Sequence, residues 1–162
     1  LMHDGNRGAG LMPAIEMKLE GDKELMRKLK QLSRGLRPKI IEGSLFPGAN
    51  IIRNEARSRA PRRPGGGALQ QAIVSHAMPM KFGVPEVAVS WRKGKSSRST
   101  AFYGIMVEKG TKERVRKDGG RTGSAPAQPF LIPAYDAKKE QAQRVIKQKL
   151  SDAIVAKVKR LG

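Results

Sequence analysis

Cysteine is absent from the 162-residue chain, so neither disulfides nor thiolate metal sites contribute to its structure. Histidine is nearly absent. His3 and His76 stand far apart, without zinc-ligand spacing and without an evident third ligand, so His76 reads as an ordinary strand residue. Aromatic residues make up only 4% of the chain, which argues against a single-strand binder that stacks bases on aromatic platforms. No apolar run approaches the ~20 residues needed to span a bilayer, and the first residues lack the apolar core of a secretory signal. The sequence reads as a soluble protein with no membrane partner.

Acidic residues are scarce as well. Asp and Glu number 14 against 33 Lys and Arg, a formal net charge of +19. Charge this lopsided speaks to partners rather than to fold, because it repels itself and attracts anionic surfaces. With so few aromatics, contact with the backbone of double-stranded DNA fits best. Such contact should be sequence-independent and weakened by salt, since no zinc-finger spacing and no recognition helix is visible.

The residues of catalysis are missing too. Gly65-Gly66-Gly67 lacks the following Lys-Ser/Thr of a nucleotide-binding loop and reads as a hinge. Glu108 is the one acid in a distinctive setting, between Val107 and Gly110-Thr111, but nothing nearby supplies the partner that general acid–base chemistry requires. Capping, or pairing with an arginine, is its expected role. No catalytic, cofactor-binding or metal residue is assigned, no cofactor is expected, and the chain does not read as an enzyme.

At this length the expectation is one domain over 14–162, preceded by a flexible Gly-rich arm at 1–13. Ile15, Met17 and Leu19 alternate with charged residues, as in a half-buried strand. Asp22 is placed to cap a helix running to about Leu32, with Leu25, Met26, Leu29 and Leu32 on one face. A second helix is predicted from Pro38, with Ile41, Leu45, Ala49, Ile52 and Ala56 forming one stripe and a kink at Pro47-Gly48. The run 61–67 is a loop. From Ala68 to Val89 the chain reads as strands, one holding Ala72, Val74 and Ala77, the next Val84, Val87 and Val89 with Trp91. The stretch 101–109 fits a strand or a short helix. Ala142, Ile146, Leu150, Ile154, Val158 and Leu161 predict a C-terminal helix over about 134–159, roughly 39 Å long, with Glu140 spaced to pair with Arg144. Gln128-Pro129-Phe130-Leu131-Ile132-Pro133-Ala134 should be extended before it, planting Phe130 and Ile132 in the core. The fold class is α+β: a small antiparallel or mixed sheet packed against a long kinked helix and a long C-terminal helix.

Three basic clusters fall on or beside loops. The first runs from Arg53, Arg57 and Arg59 into Arg62 and Arg63. The second, in the loop 91–100, holds Arg92, Lys93, Lys95 and Arg98. The third, in the loop 111–127, holds Lys112, Arg114, Arg116, Lys117 and Arg121. Loops displayed by a scaffold are where binding residues gather, so Arg62, Arg63 and the second and third clusters are expected to face DNA or a protein partner.

Three motifs occur in order: Ala60-Pro61 followed by Gly67-Ala68-Leu69; Tyr103 to Thr111, carrying Val107-Glu108 and Gly110-Thr111; and Gln128 to Ala134. Together they resemble the tail-completion, or head-tail joining, neck proteins of long-tailed bacteriophages, a family related to gene product ten of a lambdoid phage. The resemblance spans about 15–158. It departs from the family at Arg63-Pro64-Gly65-Gly66 and in the unusually basic 111–127 loop. It implies a structural virion protein, made in the host cytoplasm and placed in the neck between head and tail. Its copies would form a ring, commonly sixfold, between head-completion or connector proteins and the tail terminator or tail tube, with double-stranded DNA passing through the lumen. Six copies would bring about 110 positive charges to that channel. By the same resemblance Tyr103, Glu108, Gly110, Thr111, Pro129, Phe130 and Pro133 shape the fold. The alternative from charge alone is a free, sequence-independent DNA-binding accessory protein.

Overall fold

Pro38, which has no amide to leave unpaired, lies in the first turn of a 23-residue helix, α1 (Arg37–Arg59). The computed structural model describes residues 36–62, 66–81, 83–92 and 100–160, together with 23, 27, 28, 30 and 32. After α1 come α2 (Ala68–Ala72), β1 (Ile73–Lys81), β2 (Val84–Trp91), α3 (Thr100–Lys109), β3 (Arg114–Val115), β4 (Arg121–Thr122) and α4 (Leu131–Lys159). The expected arm at 1–13, the strand at 15–20, Asp22, Leu25, Met26, Leu29 and Leu161 lie outside the described residues. Lys23, Arg27, Lys28 and Lys30 are helical.

α1 is continuous through Pro47. A proline inside a helix frees the carbonyl four residues earlier. Here that residue is Gly43, at an exposed position where water can reach the carbonyl. The expected stripe is inside: Leu45, Ala49, Ile52 and Ala56 are buried, and Ile41 packs at the margin.

α4 runs antiparallel to α1. Near one end Lys138 lies 3.9 Å from Glu55. At mid-length Gly48 lies against Ile146 and the carbonyl of Ala142, so closely that a Cβ on Gly48 would sit 2.5 Å from the Ile146 side chain. At the other end Leu150 and Ile154 pack with Leu32, Ile40 and Ile41. Each fully buried aliphatic side chain in this seam contributes about 1.5–3 kcal/mol as an upper figure.

β1 and β2 pair antiparallel, from Ile73 opposite Trp91 to Met78 opposite Glu86, with a register shift before Lys81. Pro79 falls in that shift, where a missing ladder donor is tolerated. A two-stranded sheet alone is marginal in water. This one covers itself by turning Ile73, Val87, Val89 and Trp91 into the main core with α1.

Several expectations are corrected. Residues 68–72 form the short helix α2 rather than strand, so Ala72 is helical; the buried residue that opens β1 is Ile73, while Val74 is half-buried and Ala77 exposed. The stretch 101–109 is helix. α4 begins at Leu131, three residues earlier than expected and with Pro133 in its first turn. The first four helical amides lack intrahelical partners, so a proline there breaks no bond. Once those residues turn helical, alternation no longer holds: Phe130 and Leu131 are fully buried and Ile132 is 57% exposed. Glu140 and Arg144 are both exposed and, among the described residues, do not pair, in line with the small worth of such surface pairs. The 111–127 stretch is not a plain loop but an antiparallel ribbon.

A capped junction and the basic surfaces around it

The motif residues meet where α3 ends and α4 begins. Phe130 at the start of α4 offers no side-chain cap, and the first turn holds no acidic residue. Glu108, in the last turn of α3 and only 4% exposed, supplies the cap instead. Its Oε2 accepts hydrogen bonds from the amides of Phe130 at 2.8 Å and Leu131 at 3.0 Å, and Oε1 from that of Ile132 at 3.2 Å. A carboxylate here satisfies orphan donors and complements the positive end of the helix dipole. One residue earlier, the Val107 carbonyl accepts from the Gln128 amide at 2.8 Å.

Gly110 makes the turn that ends α3. Its φ is +73°, and a Cβ there would lie 2.8 Å from both the Ala125 carbonyl oxygen and the Ala127 amide nitrogen. Only glycine meets both demands without strain. Beside it, Thr111 and Ala125 exchange backbone hydrogen bonds of 2.9 and 3.2 Å, closing the base of the ribbon. Phe130 stands against Trp91, ring centres 6.1 Å apart and tilted 54°. Trp91 in turn abuts Gly104, where a Cβ would come within 2.9 Å of the indole. Tyr103 packs on the same core. Pro129 is exposed and Pro133 half-buried.

The third basic cluster occupies the ribbon. Arg114 pairs with Thr122 and Val115 with Arg121. The Thr122 hydroxyl donates to the Arg114 carbonyl, and Gly119, at φ +78°, turns the tip. Every residue from 112 to 120 is exposed, as is Arg121. By strand alternation Arg114 lies with Thr122 on one face of the two-residue ladder, while Arg121 shares the other with Val115. Val115, at 71% exposure, is the ribbon's large apolar side chain.

The first cluster borders a cleft of about 490 Å³ lined by Arg57, Ser58, Arg62, Gly66, Gly67, Gln70 and Gln71. Arg57 donates through Nε and Nη2 to the Ile73 carbonyl at 3.0 and 2.7 Å. Arg62 Nε donates to Gln70 Oε1 at 3.1 Å, and Gln70 Nε2 to the Ala60 carbonyl at 2.8 Å. Burial, and after it the neighbouring Arg57 charge, lower the pKa of the Arg53 guanidinium below its ordinary value. Arg92, in the second cluster, is exposed, and its amide donates to the Ala72 carbonyl at 2.7 Å. Arg63, Lys93, Lys95 and Arg98 lie outside the described residues. Sequence reasoning placed Arg57 in a cluster but not at a site, and it missed Gln70. The signal available was the Gln70-Gln71 pair following the glycine run.

Among the described residues no group of three or more His, Asp or Glu could hold a metal ion, and no helix is long and apolar enough to cross a membrane. These features define a small α+β body with one capped helix junction and several basic surfaces. A family model described as "Bacteriophage HK97-gp10, putative tail-component" matches residues 23–110. That is more than half of the 162-residue chain, and the chain belongs to this family of bacteriophage tail components. The matched segment contains Tyr103, Glu108 and Gly110 and stops before the ribbon and α4. No curated protein and no solved structure matches the chain significantly.

Proposed function

We propose that this virion protein is a ring-forming neck subunit that completes the tail and joins it to the head. The observation that carries the reading is the ribbon. A member of a tail-component family with a net charge of +19 presents an exposed β-ribbon bearing Lys112, Arg114, Arg116, Lys117 and Arg121. Such a feature has little use on an isolated globule, but it suits a repeated subunit beside DNA or an acidic neighbour. In this reading a single domain over 14–162, with an arm at 1–13, assembles head to tail through heterologous contacts into a closed ring, six copies being the expected number. Head-completion or connector proteins lie on one side and the tail terminator or tail tube on the other. Double-stranded DNA passes through the lumen, and its backbone is met without sequence preference.

Negative-stain electron microscopy of lysates from the phage with this gene disabled tests the proposal. Filled heads beside complete, unattached tails are expected. Whole, joined particles would remove the joining role and leave the free DNA-binding reading in its place.

A further inference from the structure

The cleft between the end of α1 and α2 holds two guanidinium groups whose partners among the described residues are neutral. Arg57 is fixed by the Ile73 carbonyl and Arg62 by the side-chain oxygen of Gln70. Gln70 is itself buried and tied to the Ala60 carbonyl. Neither arginine meets a carboxylate among the described residues, whereas Arg59, on the same helix, is paired with Glu55 at 2.7 Å. Both guanidinium groups are therefore held in place, and no described carboxylate cancels their charge. Among the described residues Arg57 Nη1 and both Nη groups of Arg62 take no further partner. Arg53 lies one turn before Arg57 and adds to the same field. Gly66 and Gly67 line the rim, where the lack of side chains lets a ligand come close to the backbone.

We propose that this cleft seats a phosphate of a nucleic-acid backbone, with Arg57 and Arg62 as the two forks that hold it. Arginine suits this task because its planar donors match phosphate oxygens in pairs. The lining also selects the class of partner. All seven residues are arginine, serine, glutamine or glycine, with no apolar anchor of the kind that gives a protein–protein contact its affinity. Phosphate contacts are polar and wet, and need none. The inference rests on the reading that DNA passes beside this subunit and adds a defined contact to it, away from the ribbon.

The test is duplex binding by fluorescence anisotropy over a series of salt concentrations, with folding checked by thermal melts. Arg57→Gln/Arg62→Gln removes both forks from one phosphate and should lower the slope of log affinity against log salt by about one, and Arg62→Gln alone, at an exposed position, by part of that. A change of one means about fourfold less affinity lost between 50 and 200 mM salt. Lys147→Gln/Lys149→Gln on the exposed face of α4 removes the same charge and should change the slope by less than half as much. Equal effects in the two double variants, or an unchanged slope in Arg62→Gln, would overturn the proposal. A second arm follows the side-chain Nε resonances of Arg57 and Arg62 in the full chain. Inorganic phosphate and duplex should both shift them. Shifts with poly-glutamate but not with duplex would make the cleft a seat for an acidic protein and overturn the nucleic-acid assignment. Both arms are read in solution, so they stand or fall separately from the gene-disruption phenotype that tests the neck reading.

Discussion

Replacing Glu108 with alanine removes the acceptor for three backbone amides at once. Those of Phe130 and Leu131 are buried and that of Ile132 partly so, so water does not simply take over. An unsatisfied buried donor costs about 1–3 kcal/mol, and the costs are not additive when the groups share one acceptor. Loss of the charge at the helix start adds up to ~2 kcal/mol. A total of about 3–5 kcal/mol follows for Glu108→Ala. For a domain of this size that corresponds to a Tm lower by roughly 6–20 °C. Glu108→Gln keeps one carbonyl oxygen in place, able to accept from Phe130 and Leu131, and should cost about 1–2 kcal/mol. Urea denaturation of both variants, read by the single Trp91, gives the two values directly. Because Phe130 leans on Trp91, the near-ultraviolet signal of the alanine variant should also weaken before global unfolding. An alanine variant within ~0.5 kcal/mol of wild type, or a glutamine variant as damaged as the alanine one, would refute the claim that this carboxylate holds the junction.

The glycines of α1 make opposite predictions. Gly48→Ala should destabilise by about 1–3 kcal/mol despite the better helix propensity of alanine, because the new Cβ meets Ile146 at 2.5 Å and the Ala142 carbonyl at 2.9 Å. Gly43→Ala, with nothing within 4 Å, should stabilise by about 0.5–1 kcal/mol; a reversed order in denaturation midpoints would show that α4 does not lie against this face. Gly110→Ala combines a positive φ with backbone clashes and should cost at least about 2 kcal/mol, measurable as a lower melting temperature with faster amide exchange at Thr111 and Ala125. Arg114→Glu/Arg116→Glu/Lys117→Glu changes only exposed side chains and should leave the melting temperature within about 2 °C while blocking head-tail joining or DNA retention. Normal infectivity of that variant would end the assignment of the ribbon as a partner surface.

The long helices were legible because their burial follows one period: Leu45, Ala49, Ile52 and Ala56 in α1, and Ala142, Ile146, Leu150 and Ile154 in α4. The errors lie where a local rule met a different constraint. Proline at 133 argued for extended chain, yet within the first helical turn it breaks nothing, so Leu131 took the core position assigned to Ile132. Ala68–Ala72 is too short for periodicity to separate helix from strand. Glu108 was singled out by its neighbours, but its partners lie 22–24 residues further along, a distance no spacing pattern reports. The ribbon did leave a local trace, the Asp118-Gly119 turn between β-branched Val115 and Thr122. Its five cations made it look like loop.

The ribbon leaves and re-enters the body at nearly one point, with Thr111 bonded to Ala125 and Gln128 to Val107. Its length is thereby uncoupled from the architecture. Doubling the excursion between these clamps would cost only about 0.6 kcal/mol in closure entropy, and neither Glu108 nor Phe130 would have to move. A lineage can rewrite what lies between the clamps, in length and in charge, to follow a changing neighbour while the helices behind it stay as they are. The ribbon is an exchangeable fitting on a fixed mount.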